Sequence, residues 1–156
     1  MSASNPTPEQ IAAQMSLDHM ICFAAYSTSQ AMNRFYRPIL DEMGLTYPQF
    51  VVMMVLWENG QATMKSLSER VFLESNTLTP LLKKLEAAGL VTRARNKQDE
   101  RILDIKATDR GMALKQRGCM APVELAAATG ETLEGVIDLQ QRLTRMRNAL
   151  NEKASG

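Results

Sequence analysis

Apolar residues recur at helical spacing from the start of the chain: Ile11, Met15, Ile21, Ala25, Met32, Phe35 and Ile39 fall near successive turns and predict a helical region over residues 9–41. Pro38 is expected to kink or stop it, and Gly44 to break the chain. Thr46-Tyr47-Pro48-Gln49 reads as a helix start, with Thr46 and Gln49 spaced as a capping box. The run that follows, Phe50, Val51, Met53, Met54, Leu56 and Trp57, is apolar on nearly every side and predicts a buried helix ended by Asn59-Gly60. A short amphipathic helix follows over Thr63 to Arg70, with Met64 and Leu67 on one side. Another begins at Ser75, taken as its N-cap, carries Leu78, Leu81, Leu82 and Leu85 as an apolar stripe, and stops at Gly89. The pattern then changes. Val91 to Arg95 and Ile102 to Ile105 read as two strands around the polar segment Asn96 to Arg101, a hairpin with a charged tip. Thr108 opens a helix to about Thr129, which Pro122 is expected to bend. Gly130 separates a last helix over 131–151 with a seam of Leu133, Ile137, Leu143, Met146 and Leu150. Such seams on terminal helices either complete the monomer core or meet a second copy.

Composition narrows the class without settling it. The 156 residues, 45 % hydrophobic, suit one domain with one core. No apolar run reaches the ~20 residues of a membrane span, and the polar stretch Met1 to Gln10 has no signal-peptide pattern, so a cytoplasmic location and no membrane partner are expected. Net charge is only +1, but residues 61–106 hold nine Lys or Arg against six Asp or Glu. That locally basic middle is compatible with phosphate contact. Two cysteines and a single histidine, His19, offer no metal-ligand set; no metal and no cofactor are expected. The eleven methionines read as adaptable core and interface filler.

Residues 47–107 run helix, short helix, turn, helix, β-hairpin, which is the plan of a winged helix-turn-helix. The second helix of such a unit enters the major groove by its N-terminal end. Here that end supplies Ser75, Asn76, Thr77, Thr79 and Pro80, small enough to approach base edges, then Lys83 and Lys84 for phosphates. The hairpin adds Arg93, Arg95, Lys97 and Arg101, suited to the negative potential of a narrow minor groove, with Asp99 placed to hold the Arg101 guanidinium. The expected partner is double-stranded DNA.

The stretch Leu78-Thr79-Pro80-Leu81-Leu82-Lys83-Lys84-Leu85-Glu86-Ala87-Ala88-Gly89-Leu90-Val91-Thr92-Arg93, followed by Asp99-Glu100-Arg101, resembles the recognition helix and wing of MarR-family regulators. Leu17-Asp18-His19-Met20-Ile21-Cys22-Phe23-Ala24-Ala25-Tyr26, Tyr36-Arg37-Pro38 and Leu45-Thr46-Tyr47-Pro48-Gln49-Phe50 are similar to the organic-hydroperoxide-sensing branch of that family. The resemblance implies a single mainly α domain over 1–156 with a β-hairpin wing. Its winged lobe spans 47–107, and 9–41 with 108–151 form the dimerisation helices of a homodimer on a pseudo-palindromic operator. It further implies that Cys22 is the redox sensor and that Tyr26, Tyr36 and Tyr47 hydrogen-bond near its sulfur. All three tyrosines of the chain fall on those positions. The chemistry is coherent: the thiolate is the attacking form, a helix start favours an anion, and phenolic O–H groups donate to it. The other reading of Cys22 is a small buried hydrophobe.

Some members of that branch carry a resolving cysteine, whose position by an ungapped count falls near Ala127. Cys119 lies two helical turns earlier, roughly 12 Å along an axis, so it is only a possible resolving thiol. The expected function is a repressor released from DNA when organic hydroperoxide oxidises Cys22. The alternative is a regulator of the same fold controlled by a small aromatic or amphipathic ligand. A thiol peroxidase is a third reading; with no recycling thiol evident close to Cys22, no enzymatic activity is expected.

Overall fold

A computed structural model describes residues 7–154. The chain runs α1 (Pro8–Ala13), a single 3₁₀ turn (Leu17–His19), α2 (Ile21–Met43), α3 (Tyr47–Asn59), β1 (Gln61–Thr63), α4 (Met64–Val71), α5 (Ser75–Ala87), β2 (Val91–Arg95), β3 (Leu103–Ala107), α6 (Asp109–Ala113), α7 (Lys115–Ala128) and α8 (Leu133–Ala154). The first six residues of the polar N-terminal stretch lie outside the described part. No single helix among the described residues is long and apolar enough to cross a membrane.

The region expected as one helix over 9–41 is broken between Ala13 and Ile21. Ser16 takes an extended conformation, and its hydroxyl bonds His19 Nδ1 at 2.8 Å. Short polar side chains that bond locally compete with the helix in this way. Pro38 does not end α2, which continues five residues to Met43 and closes at Gly44, where φ is +66°. The Leu45 amide then reaches back to the Leu40 carbonyl at 3.0 Å, satisfying a terminal acceptor.

The expected capping at α3 is present: Gln49 Oε1 accepts the Thr46 amide at 2.8 Å. Phe50, Val52, Met53, Val55, Leu56 and Trp57 are all buried, so α3 is the central helix of the core. Leu67 of α4, Leu78, Leu82 and Leu85 of α5, Leu90, Val91 of β2 and Ile105 of β3 close around it.

One strand was not foreseen. Gln61–Thr63 forms β1 and pairs antiparallel with β3, Ala62 opposite Ile105, so the hairpin is part of a three-stranded sheet ordered β1-β3-β2. In the hairpin Val91 faces Ala107 and Arg95 faces Leu103. A second difference is the start of α5. Glu74, not Ser75, is the N-cap; its carbonyl accepts the amides of Thr77 at 3.0 Å and Leu78 at 2.9 Å.

The segment expected as one helix from Thr108 to about Thr129 divides at Leu114 into α6 and α7. Two glycines let it approach the core. A Cβ on Gly111 would run into the Leu90 carbonyl, and one on Gly118 into the six-membered ring of Trp57. Trp57 is clasped there: its Nε1 donates to the Gly111 carbonyl, and Lys115 Nζ donates to the Trp57 carbonyl, each at 2.9 Å. Pro122 lies inside α7. By contrast α8 buries no residue, and Leu133, Ile137, Leu139, Leu143 and Leu150 are exposed on it. Ile11, Met15, Leu17, Met20 and Ile21 are exposed at the other end of the chain.

Candidate functional site

Burial of Leu78, Leu82 and Leu85 fixes how α5 is turned. Asn76, Pro80, Lys83 and Lys84, spaced at helical turns, therefore lie on the outer face, and all are exposed. Ser75 and Thr77 are exposed at the same end, while Thr79 is half-buried and its hydroxyl donates to the Ser75 carbonyl at 2.7 Å. The residues expected to meet DNA thus share one exposed face of α5, with Thr79 partly turned inward.

The wing departs further from expectation. Arg93 does not project toward a partner: its guanidinium Nε donates to Glu86 Oε2 of α5 at 2.9 Å, and its side chain is only 20 % exposed. This bond holds the Glu86 carboxyl below the usual carboxylate range. Arg93 is thus a brace between β2 and the back of the recognition helix. Asp99 also acts differently from expectation. Its Oδ1 accepts the backbone amide of Arg101 at 3.0 Å, so it shapes the tip rather than holding the guanidinium. Asn96 completes the turn, its Oδ1 accepting the amides of Gln98 and Asp99 and its Nδ2 donating to Asp104 Oδ2 at 2.8 Å. Arg95 Nη1 donates to the Glu100 carbonyl at 3.0 Å. Among the described residues no carboxylate forms an ion pair with Lys83, Lys84, Lys97 or Arg101, all exposed.

The structure brings Ser75 and Arg101 to one groove, lined also by Thr63, Lys65 and Ser68 of the α4 side. Lys65 was missed by the sequence reading. It sits in the first turn of α4, and the first helix of a helix-turn-helix crosses the phosphate backbone, which is the rule that would have found it.

The thiol constellation is divided within one chain. Cys22 is exposed in the first turn of α2, and Tyr26 is exposed one turn on. Tyr36 is on the same helix but fourteen residues away, which is ~21 Å along the axis. It is 5 % exposed, and its ring lies 5.4 Å from that of Tyr47 and 5.7 Å from that of Phe50. Burial, with a smaller contribution from Tyr47, pushes its phenol up to about 12, so it keeps its proton at neutral pH and remains a donor. Two of the three tyrosines therefore meet each other and not Cys22. Tyr36 also forms part of the wall of a cavity of about 520 Å³ between α2, α7 and α8, with Met32, Leu125, Leu139, Leu143 and Met146. Cys119 is exposed on α7; Ala127 lies on that same helix, eight residues or ~12 Å further on.

With this geometry in view, comparisons with known proteins place the chain. A family model described as transcriptional regulator SarA/Rot matches residues 34–117. The HTH-type transcriptional regulator TtmR of Methylorubrum extorquens is 45 % identical over 139 residues, covering 89 % of this chain and 71 % of that protein. The organic hydroperoxide resistance transcriptional regulator of Bacillus subtilis is 35 % identical over 139 residues, 89 % and 95 % of the two chains. Among solved structures, overoxidised AbfR bound to DNA matches with a TM-score of 0.73 at 33 % identity, over 89 % of this chain and 98 % of the other.

Proposed function

Since the chain belongs to the SarA/Rot family of MarR-like winged-helix transcriptional regulators, we propose that it is a homodimeric DNA-binding repressor that leaves a pseudo-palindromic operator when organic hydroperoxide oxidises Cys22. The observation that carries the redox part is the separation of Cys22 from the Tyr36–Tyr47 pair along a single helix. A two-fold dimer that sets α2 antiparallel to its partner brings the thiol of one protomer to the phenols of the other. The exposed apolar residues at the two ends of the chain, Ile11 to Ile21 and the α8 seam, are the surface such a dimer covers.

The Cys22 thiolate attacks the distal oxygen of ROOH; the O–O bond breaks, the alkoxide takes a proton and leaves as ROH, and the sulfur becomes a sulfenic acid. A second thiol, a small cellular one or Cys119, then condenses with it, forming a disulfide and water. The event is stoichiometric, one oxidation per site, and needs no turnover. Movement of α2 changes the distance between the two recognition helices, which no longer match successive major grooves. A mismatch of ~3 kcal/mol weakens binding ~100-fold. On the DNA side, Ser75, Asn76 and Thr77 face base edges, with Thr79 bonded behind them to the Ser75 carbonyl, while Lys83, Lys84, Arg95, Lys97 and Arg101 meet phosphates or the minor groove.

The test is binding to duplexes selected from a random-sequence pool, with and without cumene hydroperoxide, for the wild type and Cys22→Ser. The wild type dissociates on oxidation and the variant stays bound. Release that persists in Cys22→Ser overturns the sensor assignment.

The cavity beside Tyr36 favours one rival, control by an amphipathic ligand seated between α2, α7 and α8. Ligand-induced release with no mass gain at Cys22 under mild peroxide supports that rival instead.

A further inference from the structure

Phe72 occupies an unusual position. It is the one non-glycine with a positive φ among the described residues, φ 56° and ψ 38°, at the end of α4. Glycine or asparagine holds that conformation at lower cost, so a phenylalanine is not there for the backbone. Nor is it there for the core, since the residue is 57 % exposed. What its ring does is carry a cation: the guanidinium carbon of Arg147, near the end of α8, stands 4.3 Å from the ring centroid. Asn148 Oδ1 accepts from Arg147 Nε at 3.2 Å and Nη2 at 3.0 Å, which orients the guanidinium.

The contact joins two parts that otherwise touch little. α8 buries no residue, and its inner side borders the cavity rather than filling it. On the other side of the contact, Phe72 is three residues from the start of α5. The intervening turn is tied back to α4 by the Ser68 hydroxyl, which donates to the Leu73 carbonyl at 2.6 Å. A continuous path of contacts therefore runs from Arg147 through Phe72 and Leu73 to Glu74, whose carbonyl accepts the Thr77 and Leu78 amides of α5.

We propose that Arg147 and Phe72 are positioning residues through which the C-terminal helix sets the first turn of the recognition helix. They touch no base; they act through the Glu74 cap. The DNA readout of this inference rests on the function proposed above, and its amide-exchange readout does not.

The variants are Arg147→Gln, Phe72→Asn, their double, and Arg147→Lys. Phe72→Asn removes the ring while keeping a residue that holds the left-handed backbone at lower cost, so any loss of protection in it comes from the lost contact and not from backbone strain. An exposed cation–π contact predicts that each single variant raises hydrogen exchange at the Thr77 and Leu78 amides by ~2- to 5-fold. The double variant does no more than either single one, Arg147→Lys recovers most of the protection, and the Met53 and Leu56 amides stay unchanged. Affinity for a duplex selected from a random pool falls by a similar factor with the same non-additivity. Unchanged exchange at Thr77 and Leu78, additive effects, or a rise that spreads to α3 overturns the proposal. If no duplex is bound by the wild type, the DNA reading fails while the exchange pattern still decides the contact.

Discussion

A mixed dimer gives the sharpest consequence of the divided thiol constellation. Cys22 and Tyr36 lie ~21 Å apart along α2, and side chains reaching toward each other still leave on the order of 10 Å, against the ~3 Å of a hydrogen bond. Tyr26, one turn from Cys22, can assist from the same chain, but a Tyr36 phenol that assists the thiolate must come from the partner. Consider a dimer with Cys22→Ser in one protomer and Tyr36→Phe in the other. If the phenol acts across the interface, one site loses both groups and the other keeps both, so the single remaining thiol is fully equipped. If it acts within the chain, that thiol is served only by the substituted ring of its own protomer and is impaired. A charge-assisted hydrogen bond to the thiolate is worth about 1.5–3 kcal/mol, or roughly 13- to 160-fold in thiolate population. Nucleophilicity rises as the thiolate is destabilised, offsetting nearly half of that on a logarithmic scale. The net loss for the Tyr36→Phe homodimer is then roughly 4- to 15-fold in rate. The assay is intact-mass kinetics of dimers purified on two different tags, under excess cumene hydroperoxide. The mixed dimer reacts at the wild-type rate per thiol. Reaction at the Tyr36→Phe rate, or no effect of Tyr36→Phe in the homodimer, refutes the cross-subunit account.

Three further outcomes are expected. Tyr36 has its folded pKa raised from 10 to about 12, so between those values the unfolded chain has lost a proton that the native state keeps. Stability is intact below pH 10 and falls as pH rises toward 12, by on the order of 1–2 kcal/mol once water at the ring edge is allowed for; alkaline denaturation of Tyr36→Phe lacks this component. Gly118→Ala sets a methyl against the Trp57 ring and destabilises the fold by about 1–3 kcal/mol, read as a lower Tm. Lys84→Met lowers the slope of log affinity against log salt by ~1, whereas Arg93→Met lowers Tm and leaves that slope unchanged, because Arg93 is occupied by Glu86.

Much of this architecture is legible from periodicity. The α5 stripe, the capping at α3, the buried α3 and the hairpin all follow from local patterns, because burial of one face repeats at the period of the element. What escaped is non-local. β1 is three residues whose only reason to be a strand is β3, over forty positions away. Arg93 reads as one more wing cation until α5 supplies Glu86. The break before α2 comes from a Ser16–His19 contact that competes with an apolar pattern carried straight through it. Phe72 gives no signal at all, since the left-handed position it holds is one where a sequence reading looks for glycine. The candidate site divides in the same way: the tyrosines are found by position, and a helix over 9–41 already sets Tyr36 fourteen residues from Cys22, but the burial of Tyr36 against Tyr47 and Phe50 is a non-local contact that local patterns do not show.

The central claim is that oxidation of Cys22 is what releases DNA. It is tested most directly by titrating substoichiometric cumene hydroperoxide into the protein bound to a labelled duplex, reading fluorescence anisotropy and intact mass on the same sample. The released fraction is expected to rise with the fraction of chains oxidised at Cys22, and Cys22→Ser to show neither change. Release without a mass change at Cys22, or full oxidation of Cys22 with the duplex still bound, contradicts it.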